Sequence, residues 1–239
     1  GTLTTSGAWA AGAVATLVLF GTGWEGGAVL AAFFVPSNLI SRVAPAPAGP
    51  DPKGDRRDHL QVLANGGVAA LGALLGRRDP GLGLWLVTGA LAAAAADTWA
   101  TSTGALSRVP PRLISSGRKV PPGTSGAVSL VGTGGAAAGA LLVAATGALA
   151  GGMPILLPIA TLIGFAGMLV DSAMGSALQG RFHCPACDRP SEWRVHRCGA
   201  ATIHRGGLAW LDNDAVNLAA TAAAAGLAFA AWSWLCPCS

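Results

Sequence analysis

The chain has no tyrosine and few charged side chains: Asp, Glu, Lys and Arg together make up 11% of its 239 residues. Soluble domains carry about 25% charged residues, so the shortage of charge excludes an ordinary soluble protein. No internal repeat stands out. The first residues also lack the charged n-region and cleavage site of a secretory signal, so we expect the first apolar run to stay in the protein as a helix.

Apolar and small residues dominate instead. Hydrophobic residues are 52% of the chain, glycines number 35, and the mean hydropathy is +0.53. Such a composition is typical of membrane helices that pack closely through small residues. It predicts an all-α polytopic membrane protein, with a single integral membrane domain over residues 1–239.

Seven apolar segments approach the ~20 residues that a spanning helix needs. They cover roughly residues 3–20, 27–40, 59–75, 82–104, 124–149, 154–179 and 207–235. The second segment is short and the third begins with polar residues, so tilted, broken and partly re-entrant helices all stay open for these two. Residues 45–58 are rich in proline, glycine and charge, which predicts a flexible cytoplasmic loop.

Lysine and arginine alternate between the loops. The second, fourth and sixth loops hold Arg42, Lys53, Arg56 and Arg57; Arg108, Arg112, Arg118 and Lys119; and Arg181, Arg189, Arg194, Arg197 and Arg205. The intervening loops have only Arg77 and Arg78. By the positive-inside rule the even loops are cytoplasmic, the N-terminus is inside and the C-terminus outside. The net charge of +4 thus reflects topology and predicts no nucleic-acid partner.

Four carboxylates fall inside predicted spans, all near the cytoplasmic face: Asp97, Asp171, Asp212 and Asp214. Acids at one depth in a low dielectric cannot all stay ionised without cations, so they predict a Mg²⁺ site. Polar side chains gather at the same level, namely Gln61, Asn65, Asn213 and Asn217. Polar contacts between helices are the alternative for the asparagines.

Residues 97–129 combine one of these acids with a basic loop that contains no acid after Asp97. Lys119 precedes Gly123, Thr124 and Ser125, where we expect backbone amides at a helix start to point outward. A carboxylate beside such a segment is what a nucleoside phosphate and its metal require. The alternative is a helix end followed by a cytoplasmic anchor, and the same choice applies to Arg56 and Arg57.

The sixth loop, which we treat as an inserted cytoplasmic segment over residues 181–206, contains a different pattern. Cys184, Cys187, His196 and Cys198 offer four ligands, as a zinc knuckle would, in a spacing that is short and irregular for a standard zinc finger. His183 and His204 are alternative ligands. A Cys184–Cys187 disulfide is the competing interpretation, and a reducing compartment disfavours it. We expect Cys236 and Cys238 to be bystanders or a terminal redox pair.

Strings along nearly the whole chain carry a family resemblance. The longest are ADTWATSTGALS, PRLISSGRKVPPGTSGAVSLVGT, GFAGMLVDSAMGSALQGRFHCPAC and GGLAWLDNDAVNLAAT. The chain resembles the membrane-protein family of the plant phytyl-phosphate kinases and their uncharacterised bacterial and animal relatives. It is more distantly similar to dolichol kinases and CDP-diacylglycerol synthases. Asn213 departs from the synthase pattern, which has a basic residue at that point.

The resemblance implies a membrane-embedded kinase that uses CTP or another NTP to convert an isoprenyl monophosphate to the diphosphate. Its implied catalytic residues are Lys119 and the four aspartates. The aspartates are the implied ligands of Mg²⁺. Its implied nucleotide contacts are Lys119, Gly123, Thr124, Ser125, Asn65, Asn213 and Asn217. A cytidylyltransferase that makes a CDP-lipid and an ion or lipid transporter are the alternatives. The sequence leaves open the prenyl chain, the nucleotide and the oligomeric state, a homodimer included.

Overall fold

The structure, a computed structural model, describes residues 3–45 and 56–236. Most of the predicted flexible loop, with Lys53, and Cys238 lie outside the described residues. Six helices in the described part are long and apolar enough to cross a membrane. They are α1 (Thr5–Val43), α2 (His59–Leu75), α3 (Pro80–Gly104), α4 (Leu130–Ala150), α5 (Leu156–Ala177) and α6 (Asn213–Leu235). The all-α membrane architecture predicted from composition is confirmed.

Helix α1 consists of two segments that meet at Gly23, where φ is 66° and ψ is −156°. Gly7 lies against the beginning of α2 and Gly21 against its end. After the break the chain returns, because Ser41 hydrogen-bonds to Ser102 at the end of α3. Helix α1 is therefore a helical hairpin, and its two halves correspond to the first two predicted spans. Glycine is required at position 23 because other residues rarely adopt this backbone conformation.

Helix α3 is the centre of the bundle. It packs against each of the other five helices, which contact one another in the order α1, α2, α6, α5, α4 and back to α1. Leu91 and the alanines that follow it are almost completely buried. A Cβ on Gly139 of α4 would collide with the backbone of Ala95, and one on Gly167 of α5 with the side chain of Ala93. Small residues on both sides thus let the helices approach closely, as predicted.

Tryptophans mark the two ends of the bundle. Trp9 and Trp210 are exposed near the end where α1 begins, and Trp24 and Trp234 are exposed near the opposite end. Exposed tryptophans at both ends of a helical bundle are typical of the two membrane–water interfaces. The chain segments that carry most of the basic residues all leave the bundle at the first of these ends, which we call the basic end.

Two loops at the basic end contain short strands. In the first, β1 (Arg112–Leu113) pairs antiparallel with β2 (Ala127–Val128). In the second, β3 (Arg181–Cys184) lies between β4 (Arg189–Ser191) and β5 (Ile203–Gly206). Helix α4 consequently begins later than predicted, at Leu130, because β2 precedes it and the side chain of Ser129 caps the helix by accepting from Gly132 N–H. Helix α6 likewise begins at Asn213 and not near residue 207.

Candidate functional site at the basic end

The four aspartates lie on three helices that pack against one another at the basic end. Asp97 is two turns before the end of α3, and Asp171 is in the last two turns of α5. Asp214 is in the first turn of α6, and Asp212 is its N-cap. The common depth predicted from the sequence agrees with these positions along the helices.

The aspartates do not form a closed cage of carboxylates. Within residues 3–45 and 56–236, only one set of three or more potential metal ligands converges, and it is the Cys/His group described below. Asp212 also has a structural task, because its Oδ1 accepts the backbone N–H of Ala215 at 2.9 Å. An ion at the aspartates would therefore need further ligands. Mg²⁺ sites in nucleotide enzymes are incomplete in this way, because one or two carboxylates bind the ion together with the phosphates of the substrate.

The two neighbouring arginines before α2 have different environments. The guanidinium of Arg56 donates to the carbonyl of Leu3 at 2.9 and 3.1 Å, which fastens the chain start to α2. Arg57 is half-buried and lies within electrostatic reach of Asp97. Burial lowers the pKa of the Arg57 guanidinium, and the carboxylate of Asp97 opposes that shift. The structure therefore separates the pair into a structural arginine and one that faces the candidate site.

The basic loop between α3 and α4 is a hairpin. Leu113 N–H donates to the carbonyl of Arg118, and Lys119 stands opposite Arg112 with its side chain exposed. Gly123 has a φ of 82°, and the hydroxyl of Thr124 donates to the carbonyl of Pro121 at 2.8 Å. The amides of this segment thus belong to turns, and the expectation that they open helix α4 was wrong.

The hairpin packs onto the end of α5 beside Asp171. A Cβ on Gly126 would collide with the backbone of Ser172 and of Ser176. Gly126 also has a φ of 72°, so both space and backbone conformation require glycine there. This contact holds the Gly-Thr-Ser segment next to the last turns of α5.

Glu192 connects this segment to the sixth loop. The hydroxyl of Ser125 donates to Glu192 Oε1 at 2.6 Å, and Gln179 Nε2 donates to Glu192 Oε2 at 3.2 Å. The sequence did not single out Glu192, because its partner Ser125 is 67 residues away and Glu192 is one of two acids in a basic loop, with no motif around it. The predicted nucleotide segment and the Cys/His loop are thus physically joined.

The Cys/His group comprises Cys184, Cys187, His196 and Cys198, whose ligand atoms all lie within 4.8 Å of one another. Cys184 ends β3 and a four-residue turn carries Cys187 back towards it, while a second turn presents the other two ligands. Cys184 Sγ is 3.6 Å from Cys198 Sγ, and His196 Nδ1 is 3.1 Å from Cys198 Sγ. Three thiols and one imidazole form a group that could bind a metal ion.

The other histidines of this loop have different partners. His183 Nε2 is 3.2 Å from Asp188 Oδ1, and His204 packs against the ring of Phe182. Of the three histidines considered, the structure thus brings His196 to the cysteines. The described cysteines form no disulfide.

The thiols of the Cys/His group differ in acidity. The hydrogen bond with His196 lowers the pKa of Cys198 to about 6. The hydrogen bond with Cys198 raises the pKa of Cys187 to about 11. The geometry thus favours one thiolate at Cys198, and a bound metal would deprotonate the other thiols as well.

The asparagines predicted at the nucleotide divide between two places. Asn213 and Asn217 are in the first turns of α6. Asn65 lies on α2, donates through Nδ2 to the carbonyl of Gln61 at 2.9 Å, and lines a groove beside α1. Thr221 donates to the carbonyl of Ala64, which joins α6 to α2 close to Asn65.

The family model of the integral membrane protein family DUF92 matches residues 1–225. The chain belongs to this family, which confirms the resemblance drawn from the sequence strings at the level of the family. It is 27% identical to Protein PGR of Arabidopsis thaliana over 87% of this chain and 81% of the plant protein. It is 31% identical to an uncharacterised membrane protein of Methanocaldococcus jannaschii over 68% of this chain and 69% of the archaeal protein. No solved structure matches.

Proposed function

We propose that the protein is a membrane-embedded kinase that transfers the γ-phosphoryl group of CTP or another NTP to an isoprenyl monophosphate. The observation that carries this proposal is the meeting of aspartate-bearing helix ends with a basic, glycine-containing hairpin at one end of the bundle. The motif resemblance to phytyl-phosphate kinases and the similarity to a plant protein of the same membrane family support it.

The lipid phosphate is itself the nucleophile in this reaction. One of its oxygens attacks the γ-phosphorus, the bond between that phosphorus and the β–γ bridging oxygen breaks, and the nucleoside diphosphate leaves. Phosphoryl transfer depends mainly on positioning and charge neutralisation, so no nucleophilic side chain is needed. A bundle with carboxylates and cationic side chains at one level suits this requirement.

The predicted residues would have different roles, namely binding of the metal ion and binding of the nucleotide. Asp97, Asp171 and Asp214, with Asp212 beside them, would hold Mg²⁺, which would supply positive charge to offset that of the phosphates. Lys119 would contact the nucleotide phosphates as a point charge, together with the segment from Gly123 to Ser125. Asn213 and Asn217 would add polar contacts from α6.

The basic end would face the cytoplasm, where nucleotides are found, because positive charge concentrates in its loops. The Cys/His group would hold one structural Zn²⁺, since three thiolates and one imidazole match the usual ligands of that ion. Labelling of single cysteines at positions 119 and 194 in intact cells tests the orientation. Strong reaction at position 119 with an impermeant reagent would contradict it.

The decisive experiment presents prenyl monophosphates of several chain lengths to the purified protein with Mg²⁺ and each of the four NTPs. Mass spectrometry then identifies the lipid products, and separate reactions use γ-labelled and α-labelled nucleotide. A kinase leaves the γ-label on a lipid diphosphate. α-Label on the lipid would instead establish a cytidylyltransferase, and unchanged lipids with every nucleotide would favour a transporter.

A further inference from the structure

The two halves of α1 and the beginning of α2 enclose a groove of about 460 Å³. Small residues line both halves of the hairpin, with Ala11 and Ala15 on the first and Gly27 and Ala31 on the second. At the closed end the halves approach tightly, because a Cβ on Gly27 would lie 2.6 Å from Leu19. The volume falls within the ~300–1,000 Å³ typical of ligand pockets.

The groove is apolar along most of its length and polar at one end. Its walls near the Gly23 break include Leu19, Trp24 and Leu30. At the basic end the polar lining side chains are Arg57, Gln61 and Asn65. The stretch from Ala11 to Leu19 alone corresponds to about 12 Å of helix at ~1.5 Å per residue. The groove therefore suits a long apolar chain with one polar head.

The chemistry of the polar end favours an anionic head group. A guanidinium offers a fork of N–H donors that matches phosphate oxygens, and burial strengthens such a contact. Two side-chain amides, Gln61 and Asn65, stand four residues apart on the same face of α2 and can also donate. Because Arg57 lies within electrostatic reach of Asp97, a phosphate held there would adjoin the candidate catalytic centre.

We propose that this groove binds the isoprenyl monophosphate, with the prenyl chain between the two halves of α1 and the phosphate at Arg57, Gln61 and Asn65. The identity of the ligand rests on the proposed function. A single channel between two helices fits a lipid with one chain better than a phospholipid with two. Asn65, expected at the nucleotide, thereby contacts the lipid phosphate.

Binding is measured without nucleotide, on the whole protein in phosphatidylcholine nanodiscs, with geranylgeranyl monophosphate that carries a diazirine on its last isoprene unit. We expect cross-links on α1 near Leu19 and Trp24. Ala15→Phe and Ala31→Phe fill the groove beyond the polar end and should weaken binding about tenfold or more. Gly12→Phe is the matched control, since a Cβ on Gly12 meets nothing within 4 Å.

The head-group contact is tested by a second pair of variants. Arg57→Gln should weaken binding about tenfold, whereas Arg56→Gln, whose side chain contacts only the carbonyl of Leu3 among the described contacts, should not. Isopentenyl monophosphate controls for folding. The two groove-filling variants should bind this short lipid as the unmodified protein does, which a misfolded protein would not.

The outcomes separate this inference from the proposed function. Chain-length-dependent loss of binding, with or without phosphoryl transfer, supports the groove. Normal transfer together with undiminished binding in Ala31→Phe and Arg57→Gln would overturn the groove while the kinase proposal stood. Cross-links confined to other helices would overturn it as well. So would phosphatidylcholine bound in the groove, if the isoprenyl monophosphate does not displace it.

Discussion

The Cys/His group and the four aspartates are both candidate metal sites, and the chain builds them differently. The four ligands of the Cys/His group come from the end of β3 and two turns of the same loop, and all four converge. The aspartates come from the ends of three helices and do not converge in this way. A complete set of soft ligands suits a structural ion, whereas an incomplete set of carboxylates leaves coordination positions for phosphates.

The largest effect should come from the aspartates, and it should fall on turnover and not on folding. If these acids hold Mg²⁺ as proposed, Asp97→Asn and Asp214→Asn each remove a charge that balances the ion, so turnover should fall about 10²-fold or more, equivalent to roughly 3 kcal/mol. Steady-state phosphoryl transfer measures this loss, and circular dichroism should show retained helices. Excess Mg²⁺ should rescue the variants poorly.

The matched control is Asp79→Asn at the opposite end of the bundle. The side chain of Asp79 caps α3 by accepting from Leu82 N–H, and asparagine caps nearly as well. Its turnover should therefore stay close to that of the unmodified protein. Near-normal turnover in both Asp97→Asn and Asp214→Asn would remove the metal site and leave these acids as packing residues.

The Cys/His group should show the reverse pattern, with metal content and local order as the first losses. Cys184→Ser combined with Cys187→Ser removes two of four ligands, so elemental analysis should find the one expected Zn²⁺ absent. Hydrogen exchange should rise in β3, β4 and β5 while the helices stay protected. Cys236→Ser is the control. No zinc in carefully purified unmodified protein would refute the assignment.

The contrast between these two sites also shows which features a sequence can predict. Cysteine spacing predicted the Cys/His group because its ligands are close along the chain. Apolar runs and loop charges predicted the helices and the shared end of the acids, since both depend on local composition. The separation of the first two spans was predicted from their apolar runs. The left-handed backbone at Gly23, where the two halves meet, was not, because several glycines lie between these runs and no local pattern distinguishes one of them.

Contacts between distant segments were equally beyond the sequence. The strand pairing that delays the start of α4 depends on how residues 112–113 and 127–128 meet, and no local pattern encodes it. The hydrogen bond from Ser125 to Glu192 joins two loops that only the packing of α5 brings together. Such contacts arise from the tertiary structure, which a single sequence does not reveal residue by residue.

Substitutions of Lys119 test the proposed nucleotide contact, and their expected effect is intermediate. Lys119→Ala should raise the nucleotide KM about tenfold because one charged phosphate contact is lost. Its kcat should fall too if the contact strengthens in the transition state, and Lys119→Arg should keep part of the activity. Arg118→Ala is the neighbouring control on the exposed hairpin. Equal KM changes in the two alanine variants would indicate general electrostatic attraction only.

The smallest expected effect concerns the connection between the two sites. If Glu192 positions the nucleotide segment through Ser125, Ser125→Ala and Glu192→Gln should each raise the nucleotide KM several-fold, and the double variant should be no worse than either. A double-mutant cycle should then give a coupling of about 1 kcal/mol. Zinc content should stay unchanged in all three, which distinguishes a positioning contact from damage to the Cys/His group.

The control for this cycle is Asp188→Asn in the same loop. Asp188 is exposed and contacts His183, and asparagine tolerates its positive φ of 50°. Its KM should therefore match that of the unmodified protein. Additive effects of Ser125→Ala and Glu192→Gln would mean that the two loops touch without cooperating. If Cys184→Ser loses zinc and the coupling between Ser125 and Glu192 disappears with it, the Cys/His group sets the geometry of the nucleotide segment.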